Sequence, residues 1–305
     1  MHQYIYKPAE AGLDRWPPGE LRLDGIPVTE DPNVADVFVC PGSLSGFLEN
    51  GVLRKERLSH LPHWAGNEAR HAFLDVSDNF TRAIGLPCLF IRCDLRTWMW
   101  DDDPHSINVA WPVEDFAECV DLPEAGFTYD VSFHAWLSTD TRRISSQSCL
   151  DHLGLRCDMA RYEDFTGYIY HEPEGVRRRA EFRRSMRESR VCLCPESIPG
   201  VFPYRFFEAM SAGRVPILIA SDVVFPFDEE IPYDAFMLHI ERQQAGSAGE
   251  IIAEFLRNTS DVELITMGLE ARASWLRWLN AADWPKTMAY AVEKQLQTMG
   301  LVSCA

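Results

Sequence analysis

No stretch of this sequence is apolar enough to cross a lipid bilayer. A spanning helix needs about 20 mostly apolar residues, and no window of the chain approaches that length. The N-terminus, MHQYIYKPAE, also lacks the basic residues and the apolar run of a secretory signal peptide. These absences predict a cytoplasmic protein without a membrane span.

Paired cysteine motifs are absent as well. The chain has nine cysteines, an odd number, and no two of them form a Cys-x-x-Cys pair. Most lie inside apolar runs such as VFVC and RVCLC. This pattern is typical of buried free thiols in a reducing compartment, so we expect neither disulfides nor a zinc site.

Positive charge is scarce, with 29 basic against 46 acidic residues and a formal net charge of −17 at pH 7. An acidic surface repels nucleic-acid phosphates and anionic lipids, so neither is expected as a partner. Solubility alone is a sufficient explanation of such a charge.

What the sequence does contain is an alternation of short β-rich runs with helical patterns. This order predicts an α/β protein with parallel sheets. The length of 305 residues favours two domains. An acidic segment with Pro and Gly lies at 113–127, and we place the boundary there. The predicted division is 1–120, 121–280, and a C-terminal helix at 281–305 for which a return to the first domain is one option.

The β-rich runs of the first half predict strands at 3–6, 35–40, 71–76, 87–93 and 107–110, and helical spacing predicts a helix at 43–60. In the second half the predicted strands are 128–137, 155–160, 191–194, 215–220 and 235–240. The predicted helices there follow the loop at 138–143 and cover 174–189 and 203–212, with more helix in the last sixty residues.

The segment from 189 to 241 carries the clearest chemistry. A strand ending at Pro195 is followed by a small-residue loop with Ser197 and then by a helix. Loops at the carboxyl ends of parallel strands bind ligands in α/β proteins, and a helix N-terminus there suits a phosphate. Arg205 and Glu208 lie one turn apart on that helix. They could serve a diphosphate and a ribose, but a solvated Arg–Glu pair on an ordinary helix fits the spacing equally well.

Several separated elements of this segment resemble, in order, the exostosin-type pattern of glycosyltransferase family 47. They are Cys-Leu-x-Pro at 192–195, Arg-x-x-Glu-Ala at 205–209, Ala-Gly-x-x-Pro at 212–216, Pro-Phe at 226–227, and an aromatic residue before Phe at 233–236. A fainter resemblance covers 29–40, 61–64, 70–71 and 77–78, where the family's Asp-His pair is not intact.

The resemblance implies a GT-B-like fold, in which two Rossmann-like domains with parallel sheets face each other across a cleft. It implies a nucleoside-diphosphate sugar as donor, bound by the second domain, and a glycan or other hydroxyl acceptor on the first. It also implies transfer with inversion and without a metal, since basic side chains and a helix dipole would stabilise the leaving diphosphate. The acidic run at 101–103 is better explained as an exposed turn than as a metal site.

The same resemblance implies roles for individual residues. Arg205 and one of the adjacent Arg142 and Arg143 would meet the diphosphate, with surface placement as the alternative for the adjacent pair. Glu208 would hold the ribose, and Tyr204 or Phe202 would stack near the base or sugar. The implied donor-site residues are Arg142, Arg143, Ser197, Tyr204, Arg205 and Glu208.

An inverting transfer needs a base to take the proton of the acceptor hydroxyl. Asp78 follows a predicted strand and is the candidate, with Asp75 and His71 as rivals. A turn aspartate that caps the next two residues is the alternative explanation of Asp78.

Three further alternatives remain open. The arginine-rich helix at 174–189 is either a solvated face paired with nearby acids or an edge that attracts an anionic acceptor or a partner. A fucosyltransferase-like enzyme using a guanine nucleotide sugar fits Cys-Pro-Glu-Ser at 194–197, though not the Pro-Phe element. A non-catalytic sugar-nucleotide-binding module is the third, and the Arg205/Glu208 pair argues against it.

Overall fold

The structure is a computed structural model that describes residues 1–11, 21–43, 48–49, 52–53, 55–75, 86–93, 105–122, 126–163 and 173–303. The chain divides into two units. Unit 1 comprises Met1–Ala110, Val224–Pro226 and Ala282–Ala305, and unit 2 comprises Trp111–Val223 and Phe227–Ala281.

The strands are β1 (Gln3–Ile5), β2 (Val37–Ser43), β3 (Leu48–Glu49), β4 (Val52–Leu53), β5 (His71–Asp75), β6 (Leu89–Arg92), β7 (Ser106–Asn108), β8 (Tyr129–Trp136), β9 (Cys157–Tyr162), β10 (Ser189–Pro195), β11 (Val215–Ile219) and β12 (Leu238–Ile240). The α-helices are α1 (Lys55–Leu58), α2 (Asp140–Asp151), α3 (Pro173–Glu188), α4 (Tyr204–Ser211), α5 (Ala248–Asn258), α6 (Asp261–Ser274) and α7 (Trp284–Thr298).

Unit 1 is built on a parallel sheet with the strand order β1-β2-β5-β6-β7. Every residue of β5, β6 and β7 is buried, as expected for parallel strands that are covered on both faces. The C-terminal helix α7 belongs to this unit, and the Trp284 indole donates a 3.0 Å hydrogen bond to the Ala110 carbonyl.

Unit 2 is built on a second parallel sheet with the order β12-β11-β10-β8-β9. Apolar side chains from alternate positions of β8, β10 and β11 pack with α2 and α5, while α3 and α4 pack on the same sheet through its other side chains. The predicted α/β class with two parallel, Rossmann-like sheets is therefore confirmed.

The helix predicted at 43–60 is wrong for most of the residues described there. Leu48–Glu49 and Val52–Leu53 pair as antiparallel strands, and only Lys55–Leu58 is α-helical. The sequence between the two strands is Asn-Gly, the dipeptide most typical of a two-residue hairpin turn. That local turn signal outweighs the helical spacing of the apolar residues around it.

The buried guanidinium of Arg214 bonds main-chain carbonyls at the ends of several segments of unit 2. It donates to the carbonyls of Cys119, Met186 and Arg187 at 2.6, 3.1 and 3.0 Å, and also to those of Ala212 and Gly213. The last carbonyls of a helix have no partner inside the helix, and the donors of one arginine can satisfy several of them. Burial lowers the pKa of Arg214 from its ordinary value.

The turn after α4 requires a glycine. Gly213 has a φ of +65°, the left-handed conformation that commonly ends a helix, and its N–H donates to Met210 O at 3.0 Å. Helix α6 crosses this turn closely, because a Cβ atom on Gly268 would overlap the backbone carbonyl of Gly213. Both positions are therefore restricted by backbone packing.

Gly268→Ala should lower the free energy of unfolding by about 1–3 kcal/mol, since the methyl group must push two backbone segments apart. Gly246→Ala is the matched control, because a Cβ there would lie 3.8 Å from the Ile144 side chain, an ordinary contact. We expect that control to stay within about 0.5 kcal/mol of the wild-type value. Urea unfolding followed by circular dichroism measures both, and equal stabilities of the two variants would contradict the close approach.

Candidate functional site

The carboxyl ends of four neighbouring strands define the candidate site in unit 2. Strands β8, β10, β11 and β12 are adjacent and parallel, so the loops that follow them leave from one edge of the sheet. Such an edge is where open α/β sheets bind ligands.

A fully buried carboxylate, that of Glu196, organises this edge. It accepts hydrogen bonds from the Gly200 N–H at 2.9 Å, the Thr141 hydroxyl at 3.3 Å and the Arg242 guanidinium. Arg242 follows β12 and also donates to the Ser221 carbonyl after β11 at 3.2 Å. One carboxylate thus joins segments that follow all four strands.

Backbone contacts add to this arrangement. The Thr139 hydroxyl donates to the Glu196 carbonyl at 3.2 Å, and the Ser138 hydroxyl donates to the Ser197 carbonyl at 3.5 Å. Gly200 has a φ of +79°, which a side chain would strain. Half-buried Ser197 therefore lies in a loop that is fixed at both of its ends.

Arg205 is buried on α4 and points back to the sheet. Its Nη2 donates to the His134 carbonyl, and its guanidinium carbon lies 5.2 and 4.9 Å from the ring centroids of Phe133 and Phe182. Within the described part of the chain it forms no ion pair, and its Nε has no hydrogen-bond partner. Arg205 is therefore a buried cation without a carboxylate among these residues, and it does not pair with Glu208.

Arg142 reaches the same strand end from a different helix. It is 7% exposed, and its Nη1 donates to the Trp136 carbonyl at 3.0 Å. The carbonyls that Arg142 and Arg205 use belong to β8 residues two positions apart. Two guanidinium groups therefore converge on the carboxyl end of β8.

Arg143 points elsewhere. Its side chain is 48% exposed and pairs with Glu163 at 3.3 Å. With Gln147 and Arg161 it lines a shallow depression of about 440 Å³. Ser197 does not line this depression. The adjacent arginines are thus separated by the turn of the helix.

Glu208 is paired with a residue of another helix. Its Oε1 accepts a 2.8 Å hydrogen bond from Nη1 of Arg179 on α3, and its side chain is 13% exposed. Near it on α4, the ring of Tyr204 is half exposed and lies 5.2 Å from that of Trp111, whereas Phe202 is buried against Phe207.

The arginine-rich helix α3 is paired with acids along its length. The carboxylates that its arginines contact are those of Glu114, Glu118, Asp158, Glu174, Glu181, Glu188 and Glu208. Hydrogen bonds from Arg183 and Arg179 lower the pKa of Glu114 below its ordinary value. The interpretation of this helix as a face paired with nearby acids is the one that the contacts support.

The base candidates lie in unit 1. Asp78 lies outside the described residues, and its role stays a prediction. Asp75 is buried and forms a 3.3 Å ion pair with Arg92. His71 is buried between the Tyr6 hydroxyl at 2.9 Å and the Asn67 carbonyl at 2.8 Å. Both rivals are therefore engaged with the protein itself.

In the part of the chain that the structure describes, no group of three His, Cys, Asp or Glu side chains could hold a metal ion. No helix among those residues is long and apolar enough to cross a membrane. The cysteines described are free thiols, all buried except half-buried Cys157. The acidic run at 101–103 lies outside the described ranges.

The sequence does not predict three residues of the candidate site: Glu196, Arg242 and Arg179. Glu196 directly follows the buried strand β10 and Arg242 lies two residues after β12, positions that carry a weak signal. Arg179 is one of several arginines on the helix predicted at 174–189, and its partner Glu208 is 29 residues away in the sequence. Spacing along the chain gives no sign of such a contact.

The fold defines a Rossmann-like unit in which the candidate site lies at the carboxyl ends of the strands. Residues 131–255, which include this edge, match the family model described as the Exostosin GT47 domain. The resemblance to exostosin-type glycosyltransferases is thus confirmed for unit 2, and the fainter one in the first half lies outside the matched residues.

Two plant proteins show similarity over shorter segments. A probable glucuronosyltransferase of Oryza sativa subsp. japonica is 32% identical over 73 residues, which cover 24% of this chain and 17% of that protein. A probable glycosyltransferase of Arabidopsis thaliana is 28% identical over 82 residues, which cover 27% of this chain and 16% of that protein. The chain matches less than a fifth of the length of either relative.

The solved structures that match this chain are more distant in sequence. A glycosyltransferase from Rickettsia africae is 12% identical with a TM-score of 0.49, and covers 89% of this chain and 86% of its own. Anabaena HepE in complex with UDP is 12% identical with a TM-score of 0.44, and the match covers 87% of this chain and 72% of the HepE chain.

His71 should make unit 1 sensitive to acid. Burial lowers its pKa from 6.5 to about 4, so the folded state binds fewer protons than the unfolded state between these values. Stability from this group is complete above pH 6.5 and is lost as the pH falls toward 4. Between pH 7.5 and 5.0 the loss should be about 2 kcal/mol.

Urea unfolding of the wild type and of His71→Gln at both pH values measures this term. The glutamine can still hydrogen-bond Tyr6 but does not titrate. The wild type should lose about 2 kcal/mol more than the variant between the two pH values. Parallel losses would mean that His71 is protonated as readily in the folded state as in the unfolded state.

Proposed function

We propose that this chain transfers a sugar from a nucleoside-diphosphate sugar to a glycan or another hydroxyl acceptor. The observation that carries the proposal is the Exostosin GT47 match over residues 131–255, which contain the strand ends, the Glu196 loop and the buried arginines. A family resemblance alone gives an activity class, and these groups give it a chemical basis in this chain.

The arginines at the end of β8 suit a leaving diphosphate. Charge grows on the diphosphate as the bond to the sugar breaks, and donors that are already oriented stabilise that charge without reorganising. Arg205 is held by a main-chain carbonyl and aromatic packing rather than by a carboxylate of the described residues, and Arg142 donates to the Trp136 carbonyl at the same strand end. We propose that Arg205 and Arg142 meet the diphosphate, and that Arg143, turned to Glu163, does not.

Glu208 is proposed to bind the ribose, because a carboxylate can accept hydrogen bonds from both ribose hydroxyls. Ser197 and Tyr204 are proposed to lie beside the sugar or the base, since the loop and the half-exposed ring are on the same edge. With two arginines in the role of a cation, we propose a reaction without a divalent metal, with inversion, and with Asp78 as the base.

We also propose that the protein acts in the cytoplasm, in the assembly of a glycan. The guanine-nucleotide alternative and the non-catalytic binding module make different predictions from this proposal. The first predicts preference for GDP over other nucleotides. The second predicts nucleotide binding without any turnover of a sugar nucleotide.

Glu208→Ala should weaken nucleotide binding by about tenfold to a hundredfold, because a charged hydrogen-bond acceptor is worth roughly 1.5–3 kcal/mol. Isothermal titration with UDP, GDP and ADP measures the affinity and also identifies the preferred base. Arg177→Ala is the control, since Arg177 pairs with Glu174 and Glu181 of its own helix. Equal affinities of the Glu208 variant and the wild type would remove Glu208 from the site.

Sugar transfer by the wild type should continue in EDTA, because arginines take the role of a divalent metal in the proposed mechanism. Loss of wild-type activity on chelation, restored by manganese, would reject the metal-independent mechanism.

In the same buffer, Asp78→Asn should lower turnover by about a hundredfold or more, as expected on loss of a general base. The nucleotide affinity of this variant should be unchanged, because Asp78 lies in the first half of the chain and the proposed nucleotide site lies in the second. Normal turnover of Asp78→Asn would exclude Asp78 as the base.

A further inference from the structure

We infer that Arg179 is a positioning residue for ribose recognition, which it serves by holding the carboxylate of Glu208 in its binding orientation. This inference rests on the proposed donor site and deepens it. Arg179 is not part of the motif that resembles the exostosin pattern. It lies on the preceding helix, α3, and its guanidinium donates a hydrogen bond to Glu208 on α4.

The guanidinium of Arg179 is fixed on several sides. Nη1 donates to Glu208 Oε1 at 2.8 Å, and Nη2 donates to Glu114 Oε2 at 2.9 Å. Its central carbon lies 4.5 Å from the ring centroid of Phe116 and 5.4 Å from that of Phe182. With a side-chain exposure of 17%, Arg179 has little freedom to move away from Glu208.

The contact also leaves Glu208 with accepting capacity. Within the described part of the chain, Arg179 is the side chain that bonds to the Glu208 carboxylate, and it uses Oε1. A carboxylate has about four lone-pair sites. Oε2 and one site of Oε1 are therefore available for two ribose hydroxyls while Arg179 stays bound.

Rotation of Glu208 would otherwise cost affinity. A glutamate has three rotatable side-chain bonds, and ordering them on binding reduces the free energy that the ribose contact supplies. An ion pair that fixes the carboxylate before the nucleotide arrives removes much of that ordering cost. Arg179 should therefore strengthen the ribose contact without touching the nucleotide.

The test is a thermodynamic cycle that combines substitution of Arg179 with removal of the ribose hydroxyls from the nucleotide. The probe is UDP or GDP, whichever binds more tightly, together with its 2′,3′-dideoxy form, which lacks both hydroxyls. In the wild type the dideoxy form should bind about thirtyfold more weakly, as expected for hydrogen bonds to a charged group. In Arg179→Met that ratio should fall to about threefold, a tenfold coupling of the kind found within ion-pair networks.

Arg183→Met is the matched control. Arg183 lies one turn further along α3, shares Glu114 with Arg179 and contacts the same Phe116 ring, but it pairs with Glu118 rather than Glu208. Its ratio between the two nucleotides should equal that of the wild type. A general loosening of α3 would lower the affinity for both nucleotides in both variants and leave the ratios unchanged.

Arg179→Lys provides a second variant if the methionine fails to fold. Lysine keeps the charge but cannot bond Glu208 and Glu114 through one planar fork, so the ratio should fall between those of the wild type and the methionine variant. A wild-type ratio in either folded variant overturns the inference and leaves the proposed function standing. Failure of the wild type to bind any nucleoside diphosphate rejects both.

Discussion

The carboxylate of Glu196 has no exposure to solvent, and a buried charge must be neutralised where it lies. Arg242 supplies the opposite charge, and the Gly200 N–H and the Thr141 hydroxyl supply hydrogen bonds. Because Thr141 and Arg242 follow different strands from Glu196, a shift of either segment would leave the carboxylate with fewer partners. The geometry of the whole strand edge follows from that requirement, including the loop with Ser197 and the start of α4.

Buried arginines have a second structural use in unit 2, which is to bond main-chain carbonyls. Arg214 does so at the ends of α3 and α4, and Arg142 and Arg205 do so at the end of β8. The two arginines Arg214 and Arg205 differ in how many of their N–H donors are already bonded to the protein. Arg214 is surrounded by five carbonyl acceptors and has a structural role, whereas Arg205 has one such acceptor and two aromatic rings in the described part of the chain. Only the second arrangement suits a ligand.

The sequence was sufficient to predict the alternating strands and helices of unit 2, because buried parallel strands are apolar runs that end at recognisable turns. The prediction at residues 43–60 is wrong because helical spacing there competes with Asn-Gly, a sequence signal for a hairpin. Within the candidate site, the sequence predicts Arg205 and Glu208 because they share one motif. Their actual partners, the His134 carbonyl and Arg179, are distant along the chain. Such partners are set by tertiary packing, and local spacing carries no information about them.

The distribution of ion pairs on α3 bears on how the protein responds to ionic strength. Mobile ions screen exposed charges over about 8 Å at physiological salt, but they act far less on pairs shielded from water. Arg177 and its partner Glu174 are about half exposed, whereas Arg179 and Glu208 are 17% and 13% exposed. Rising salt should therefore loosen the outer face of the helix first. The ion pair between Arg179 and Glu208 would therefore persist at salt concentrations that already screen the exposed ion pairs of the same helix.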